Sequence, residues 1–330
     1  MKKLFVIAIV ALLVTATVFT FAACEPKDKD SITIIVPDGA PALAIAKLMS
    51  EKPVYENYNI EYQLVPGAAE ISAKLANGEA DFAIVPTNIA ANLYNKGTDI
   101  ALISANTFGN LYMVGTESIT DLEQLKGEVV CNIGMGGTPD LSFKYILEQK
   151  GISYRESEEA ADGVVSLRYV SGGSELIPLL KTNRIKFGVL GEPAVTQALA
   201  NVSGASRLFA IDELWGDVTE GLDYTQAVFV GQKSVIDADE GLVDWLSERL
   251  IENADWVLDN PSIAQTALAD AGSALTITYT TEIIAACNIR YESAEDAKAG
   301  IHAYLTAIAG FNPAFIGGSV PNDAFYYQKQ

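Results

Sequence analysis

The feature that most constrains this chain is a unit that occurs twice. Val65, Gly67, Glu70, Leu75 and Phe82 stand opposite Val170, Gly172, Glu175, Leu180 and Phe187, each pair 105 positions apart. Val65-Pro66-Gly67-Ala68-Ala69-Glu70 matches Val170-Ser171-Gly172-Gly173-Ser174-Glu175, and Asp81 to Val85 matches Lys186 to Leu190. Pro37 to Pro41 has a looser counterpart in Gly134 to Pro139. In both copies an apolar run stops at glycine, a helix-forming stretch follows, and a second apolar run ends the unit. A strand–turn–helix–strand unit kept at constant offset predicts two lobes of similar topology.

The segments around the repeat follow the same grammar. Ile32–Val36, Ile60–Val65, Phe82–Val85 and Ile100–Ser104 read as strands of the first lobe, and Val129–Ile133, Val165–Val170 and Phe187–Leu190 as strands of the second. Helical stretches separate them, among them Pro41–Ser50, Ile89–Asn95 and Thr138–Lys150, where Thr138-Pro139-Asp140 has the hydroxyl, proline and early acid of a helix start. The expected class is α/β, with mixed, mostly parallel sheets and a cleft between the lobes. Ala238–Gly310 reads as helical, with Leu242, Trp245, Leu246, Leu250 and Val257 near a 3.6 period. The tail, Phe311–Gln330, is expected over the surface. At 330 residues and 49% apolar, the chain can fill a core in each lobe.

Charge and composition exclude several functions. Against 42 Asp and Glu stand 22 Lys and Arg, a formal charge of −20, which repels phosphate backbones and argues against nucleic acid as a partner. One histidine, His302, and three scattered cysteines, Cys24, Cys131 and Cys287, leave no metal-ligand spacing and no disulfide scaffold. We expect no metal and no cofactor. Cys131 and Cys287 fall in different lobes, and buried free thiols or a disulfide both fit them.

Residues 1–23 have a basic start at Lys2 and Lys3, an apolar core and small residues at the end, the pattern of a secretory signal peptide; an N-terminal anchor helix is the alternative. Phe21-Ala22-Ala23-Cys24 resembles the lipobox of bacterial lipoproteins, with Phe21 where that family has leucine. The resemblance implies lipidation at Cys24, a tether over residues 24–30, and a body held outside the cytoplasmic membrane.

With the lipobox, the doubled α/β unit and the helical C-terminal part, the chain resembles bacterial ABC-transporter solute-binding proteins of the type II periplasmic-binding fold. Asp121-Leu122-Glu123-Gln124-Leu125-Lys126-Gly127, Gly134 to Pro139, Leu147 to Ile152, Glu175 to Leu180 and Phe187-Gly188-Val189-Leu190-Gly191-Glu192-Pro193 are similar to stretches of the nitrate, sulfonate and taurine branch, which includes thiamine-precursor binders. The likeness runs over about residues 31–260. It departs at Asn183-Arg184-Ile185-Lys186, where the family has a Gly-x-[Ile/Val]-Asp turn, kept here as Gly78 to Asp81. What the resemblance implies is a monomer that closes on a small-molecule ligand and delivers it to an ABC permease and its ATPase. A ligand sensor serving a signalling partner is the alternative; an enzyme on the same fold, such as a thiamine-pyrimidine synthase relative, would need reactive groups that these loops lack.

The expected organisation is a first lobe of residues 31–108 plus 225–330 and a second lobe of 109–224, with crossings near Asn106–Asn110 and Gly221–Gln226, where Gly109 and Gly221 can absorb rotation. Ligands of parallel sheets sit beyond the carboxyl ends of the strands. That places Asp38, Gly39, Ala40, Gly67, Ala68, Thr87 and Asn88 in the first lobe, and Gly137, Thr138, Gly173, Ser174 and Glu192 in the second, as candidate ligand contacts. Phe108, Tyr112 and Tyr224 are candidate stacking partners beside the crossings. None of the loop positions is basic. A sulfonate- or nitrate-like anion could bind through N–H groups and hydroxyls, whereas the acids Asp38 and Glu192 favour a neutral or cationic nitrogen heterocycle.

Overall fold

The computed structural model describes residues 31–56, 58–221 and 224–329. The leader, Cys24 and the tether lie outside these residues, as do Leu222 and Asp223 of the second crossing. Among the described residues, thirteen strands follow in chain order: β1 Ser31–Pro37, β2 Val54–Tyr55, β3 Tyr58–Val65, β4 Phe82–Pro86, β5 Ile100–Phe108, β6 Leu111–Gly115, β7 Val129–Ile133, β8 Tyr154–Glu156, β9 Val165–Val170, β10 Phe187–Gly191, β11 Ser206–Ala210, β12 Thr225–Gln232 and β13 Ile289–Ser293. They form two sheets, ordered β13-β5-β12-β4-β1-β3-β2 and β11-β6-β10-β7-β9-β8.

The two sheets are built on one plan. β4-β1-β3 are parallel in the first sheet and β10-β7-β9 in the second. In each, an antiparallel strand from across the crossing flanks the parallel set, β12 beside β4 and β6 beside β10. Parallel pairing is thus concentrated at the sheet centres, while the β5–β12–β13 side is antiparallel. The 105-residue offset survives in the helices: Ala68–Ala76 follows β3, and Gly173–Lys181 follows β9. β1 is buried from Ile32 to Val36 because helices cover both faces of a central strand, so its sequence is apolar throughout rather than alternating.

The C-terminal part departs from the sequence reading in two places. Within the run expected to be helical, Ile289–Ser293 is the strand β13, hydrogen-bonded to β5. Helices Glu240–Asp259, Pro261–Asp270 and Thr281–Ala286 precede it in the chain and Ala294–Phe311 follows it. Asp239, Thr280 and Ser293 cap three of them by accepting from Leu242, Ile283 and Asp296 N–H groups, which is why the run breaks where it does. The tail does not run loosely over the surface. Ile316, Phe325 and Tyr326 are buried, and Asn95 donates to the carbonyls of Ile316 and Ser319.

The lobes share core on one side. A continuous apolar cluster contains Leu102 and Tyr304 of the first sheet's side together with Phe143, Val189 and Trp215 of the second's. Trp215 contacts Tyr224 and Tyr304 at centroid separations of 5.4 Å, and Tyr145 at 4.9 Å. Cys131 and Cys287 are free and buried.

Candidate functional site

The carboxyl ends of the parallel strands converge. Pro37 ends β1, Pro66 follows β3 and Pro86 ends β4; across from them Ile133 ends β7, Ser171 follows β9 and Gly191 ends β10. All six line one cavity of about 220 Å³. The facing loops lead into helices at Ala68, Thr138, Gly173 and Ala194, whose first N–H groups have no partner within the helix. The walls carry Pro37, Pro41, Pro66, Pro86, Pro139 and Pro193, half of the chain's 12 prolines. A wall of proline is pre-formed, since φ is fixed, and contributes no N–H. The site is therefore stiff and largely apolar.

Of the residues singled out from sequence, Asp38, Gly39, Ala40, Gly67, Gly137, Gly173, Ser174 and Glu192 line this cavity. Ala68 is the first residue of its helix, beside Gly67. Gly67 and Gly172 have extended backbones, and a Cβ on either would meet nothing within 4 Å.

Six expected contacts lie elsewhere. Thr87 is buried and donates to the Thr225 carbonyl at 2.6 Å, tying the helix after β4 to β12. Asn88 donates to the Gly136 carbonyl at 2.9 Å and accepts from Thr138 Oγ1 at 3.3 Å. Asn88 and Thr138 thus tie one lobe to the other beside the cavity, and the residue capping the helix of Thr138 is Gly137. Phe108 lies under the Arg290 guanidinium, 3.8 Å from its centroid, and Tyr112 under that of Arg207, at 4.7 Å. Tyr224 belongs to the aromatic interface with Trp215 and Tyr304. For each of these the side chain found a partner in the protein before it could face a ligand.

Both acids that favoured a cationic ligand are already matched. Asp38 accepts from Ser273 Oγ at 2.7 Å and from the Ala274 N–H at 2.8 Å. Glu192, with a fully buried side chain, accepts from the Thr196 N–H at 3.0 Å, from Thr196 Oγ1 at 3.1 Å, and from Arg207. Neither carboxylate is left to demand a positive ligand.

Sequence reading missed the prolines, Gln226, Ala274 and Leu275, all of which line the cavity. The prolines had a signal, since Pro37, Pro66 and Pro86 stand at the ends of strands, but that position also fits simple strand termination. Gln226 Oε1 is buried without a hydrogen-bond partner.

A second buried polar group shapes the cavity rather than lining it. Asp140 accepts from the Gly136 N–H at 2.9 Å, from Lys144 Nζ at 2.9 Å and from the Tyr169 hydroxyl at 2.9 Å. Lys144 reaches Glu156 as well, at 2.8 Å. Burial lowers the Lys144 ammonium, but its carboxylate partners outweigh that and hold it above the usual lysine range. This cluster fixes the turn Gly134–Gly137, whose Gly134 and Gly136 take positive φ.

The crossing between lobes is braced. The Glu192 N–H donates to the Asn110 carbonyl, Asn110 Nδ2 to the Cys287 carbonyl, and Asn288 Nδ2 to the Gly109 carbonyl. A Cβ on Gly109 would sit 2.7 Å from that of Asp212, so glycine stands there for close approach.

No protein-family model matches the chain, and no curated protein matches it. Solved structures do. An ABC transporter from Parabacteroides distasonis is 25% identical with a TM-score of 0.75, over 92% of this chain and 100% of that one. The periplasmic aliphatic sulphonate-binding protein SsuA from Escherichia coli is 13% identical with a TM-score of 0.66, over 91% and 93%. The ligand-binding component of an ABC-type import system from Staphylococcus aureus, solved with zinc bound, is 12% identical with a TM-score of 0.65, over 91% and 97%. These are named as transporter and binding components, not as enzymes.

Proposed function

We propose that the chain is an extracytoplasmic solute-binding protein of an ABC importer, not an enzyme, which holds a small organic ligand in the cavity between its lobes and hands it to a membrane permease. The observation that carries this reading is the cavity itself, lined from both sheets by the loops after their parallel strands. The closing units are residues 31–108 with 225–330 and residues 109–224, and the shared aromatic core beside the crossings is the side on which they pivot. One chain supplies both walls, so the site needs no second copy to be complete.

The ligand is compact, because about 220 Å³ is below the ~300–1,000 Å³ of sites for drug-sized molecules. Its body is apolar, against the proline walls, and its head carries hydrogen-bond acceptors that meet N–H groups at the helix starts. A short alkanesulfonate has this form. The unpartnered Gln226 Oε1 favours a second reading, an uncharged nitrogen heterocycle that offers an N–H. Cys24, after Phe21-Ala22-Ala23, is the lipid attachment point; metabolic fatty-acid labelling is expected in the wild type and absent in Cys24→Ser.

A thermal-shift screen with C2 to C8 alkanesulfonates, nitrate and pyrimidines tests the reading. A ligand specific for the folded state adds about 2.7 kcal/mol at a hundredfold excess over Kd. A shift confined to one chemical class is expected. A flat response across all three classes, with nothing bound in native mass spectra, argues against solute binding.

A further inference from the structure

Residues Ser273 to Thr280 run between two helices with no regular secondary structure, yet they are not loose. Ser273, Leu275, Ile277 and Tyr279 turn inward, and the residues between them are exposed. The segment belongs by sequence to the first lobe, and Asp38 at the end of β1 holds it there through Ser273 Oγ and the Ala274 N–H. Two residues on it reach the other lobe. Gln197 Nε2, on the helix after β10, donates to Thr276 Oγ1 at 3.0 Å. Leu275 lines the cavity and also packs against an apolar cluster made entirely of second-lobe residues, including Ile177, Leu190 and Ala194.

We propose that Ser273–Thr280 is a strap that closes the cavity, with Leu275 as the wall it inserts and with Asp38 and Gln197 as the residues that position it. The shared aromatic core joins the lobes through buried side chains, and the Asn88–Gly136 bond joins them through a buried asparagine and a half-buried carbonyl. The strap instead joins them through one half-buried leucine and one exposed side-chain hydrogen bond. Ligand passes in and out by release of the strap from Gln197. Asp38 acts through the strap and does not bind ligand. This rests on the cavity being the ligand site, but its test needs no ligand, so the two can fail separately.

The test is alkylation of a cysteine placed behind the strap. Ala227 lines the cavity and is 2% exposed. In full-length Ala227→Cys protein, labelling by N-ethylmaleimide is followed at that position by peptide mass spectrometry, with buried Cys131 and Cys287 as internal references. Slow labelling is expected, rising at least fivefold when Asp38→Ala or Gln197→Ala is added, while Cys131 and Cys287 stay unlabelled. Equal rates with and without these substitutions overturn the proposal. Labelling of Cys131 and Cys287 in step with residue 227 overturns it too, because opening is then global. Ala40→Cys, also lining the cavity, replaces Ala227→Cys if that variant does not fold. Hydrogen exchange at the Ala274 amide, bonded to Asp38 Oδ2, is expected to quicken at least fivefold in Asp38→Ala; an unchanged rate contradicts the strap's attachment.

Discussion

Arg207 donates to the carboxylate of Glu192, pairing a half-exposed guanidinium with an acid whose side chain is fully buried at the cavity wall. The pair turns a residue with the look of a ligand contact into part of the wall. Arg207→Ala leaves the buried carboxylate with Thr196 alone, and a loss of about 1–3 kcal/mol is expected. Glu192→Gln keeps a hydrogen-bonding group without the charge and costs less than Arg207→Ala. Urea denaturation of the two variants checks the order; a larger loss for Glu192→Gln contradicts it.

The same asymmetry applies at Lys144, where removal of the cation strands Asp140. Asp140 is fully buried and Lys144 is 3% exposed. Lys144→Met is expected to cost about 3 kcal/mol or more, since breaking a buried pair leaves one charge uncompensated. Adding Asp140→Asn removes that charge and recovers part of the loss. A double variant as unstable as the sum of the single ones contradicts the pairing.

Alkaline pH is the weak side of this fold. Burial pushes the Cys131 thiol from 9.0 up to about 11, burial also raises Cys287, and Lys144 is raised by its carboxylates. A group whose folded pKa is raised stabilises fully below its unfolded pKa and loses that stabilisation as pH climbs towards the folded value. Between pH 9 and 11 Cys131 alone accounts for ~2 kcal/mol, at 1.36 kcal/mol per unit. Tm is expected to fall steadily over that interval and to fall less in Cys131→Ala. A Tm that is level to pH 11 contradicts the burial of these groups.

The doubled architecture was legible because local pattern carries it. The match of Val65–Phe82 to Val170–Phe187 needs only neighbouring residues, and the helices at Ala68–Ala76 and Gly173–Lys181 keep the offset. Strand-end loops were legible as the cavity for the same reason. What side chains do in those loops was not. Asp38 meets Ser273 across 235 positions, and Thr87 meets Thr225 across 138. Nothing near Asp38 says that its carboxylate is taken. β13 hid inside a helical stretch because its five residues are a strand only by pairing with β5. The tail's burial depends likewise on distant partners, such as Asn95.

The most direct test of the central claim fills the cavity without disturbing the fold. Gly172 lines it, has an extended backbone, and leaves open space where a Cβ would stand. Gly172→Trp is expected to keep the wild-type Tm within a few degrees, at a cost of about 1 kcal/mol at a helix cap. The measurement is ligand-induced thermal shift for wild type and Gly172→Trp side by side, with the alkanesulfonate and pyrimidine series. A compound that stabilises the wild type and leaves the variant unmoved is the expected result. A compound that stabilises both equally places binding elsewhere and contradicts the assignment of this cavity.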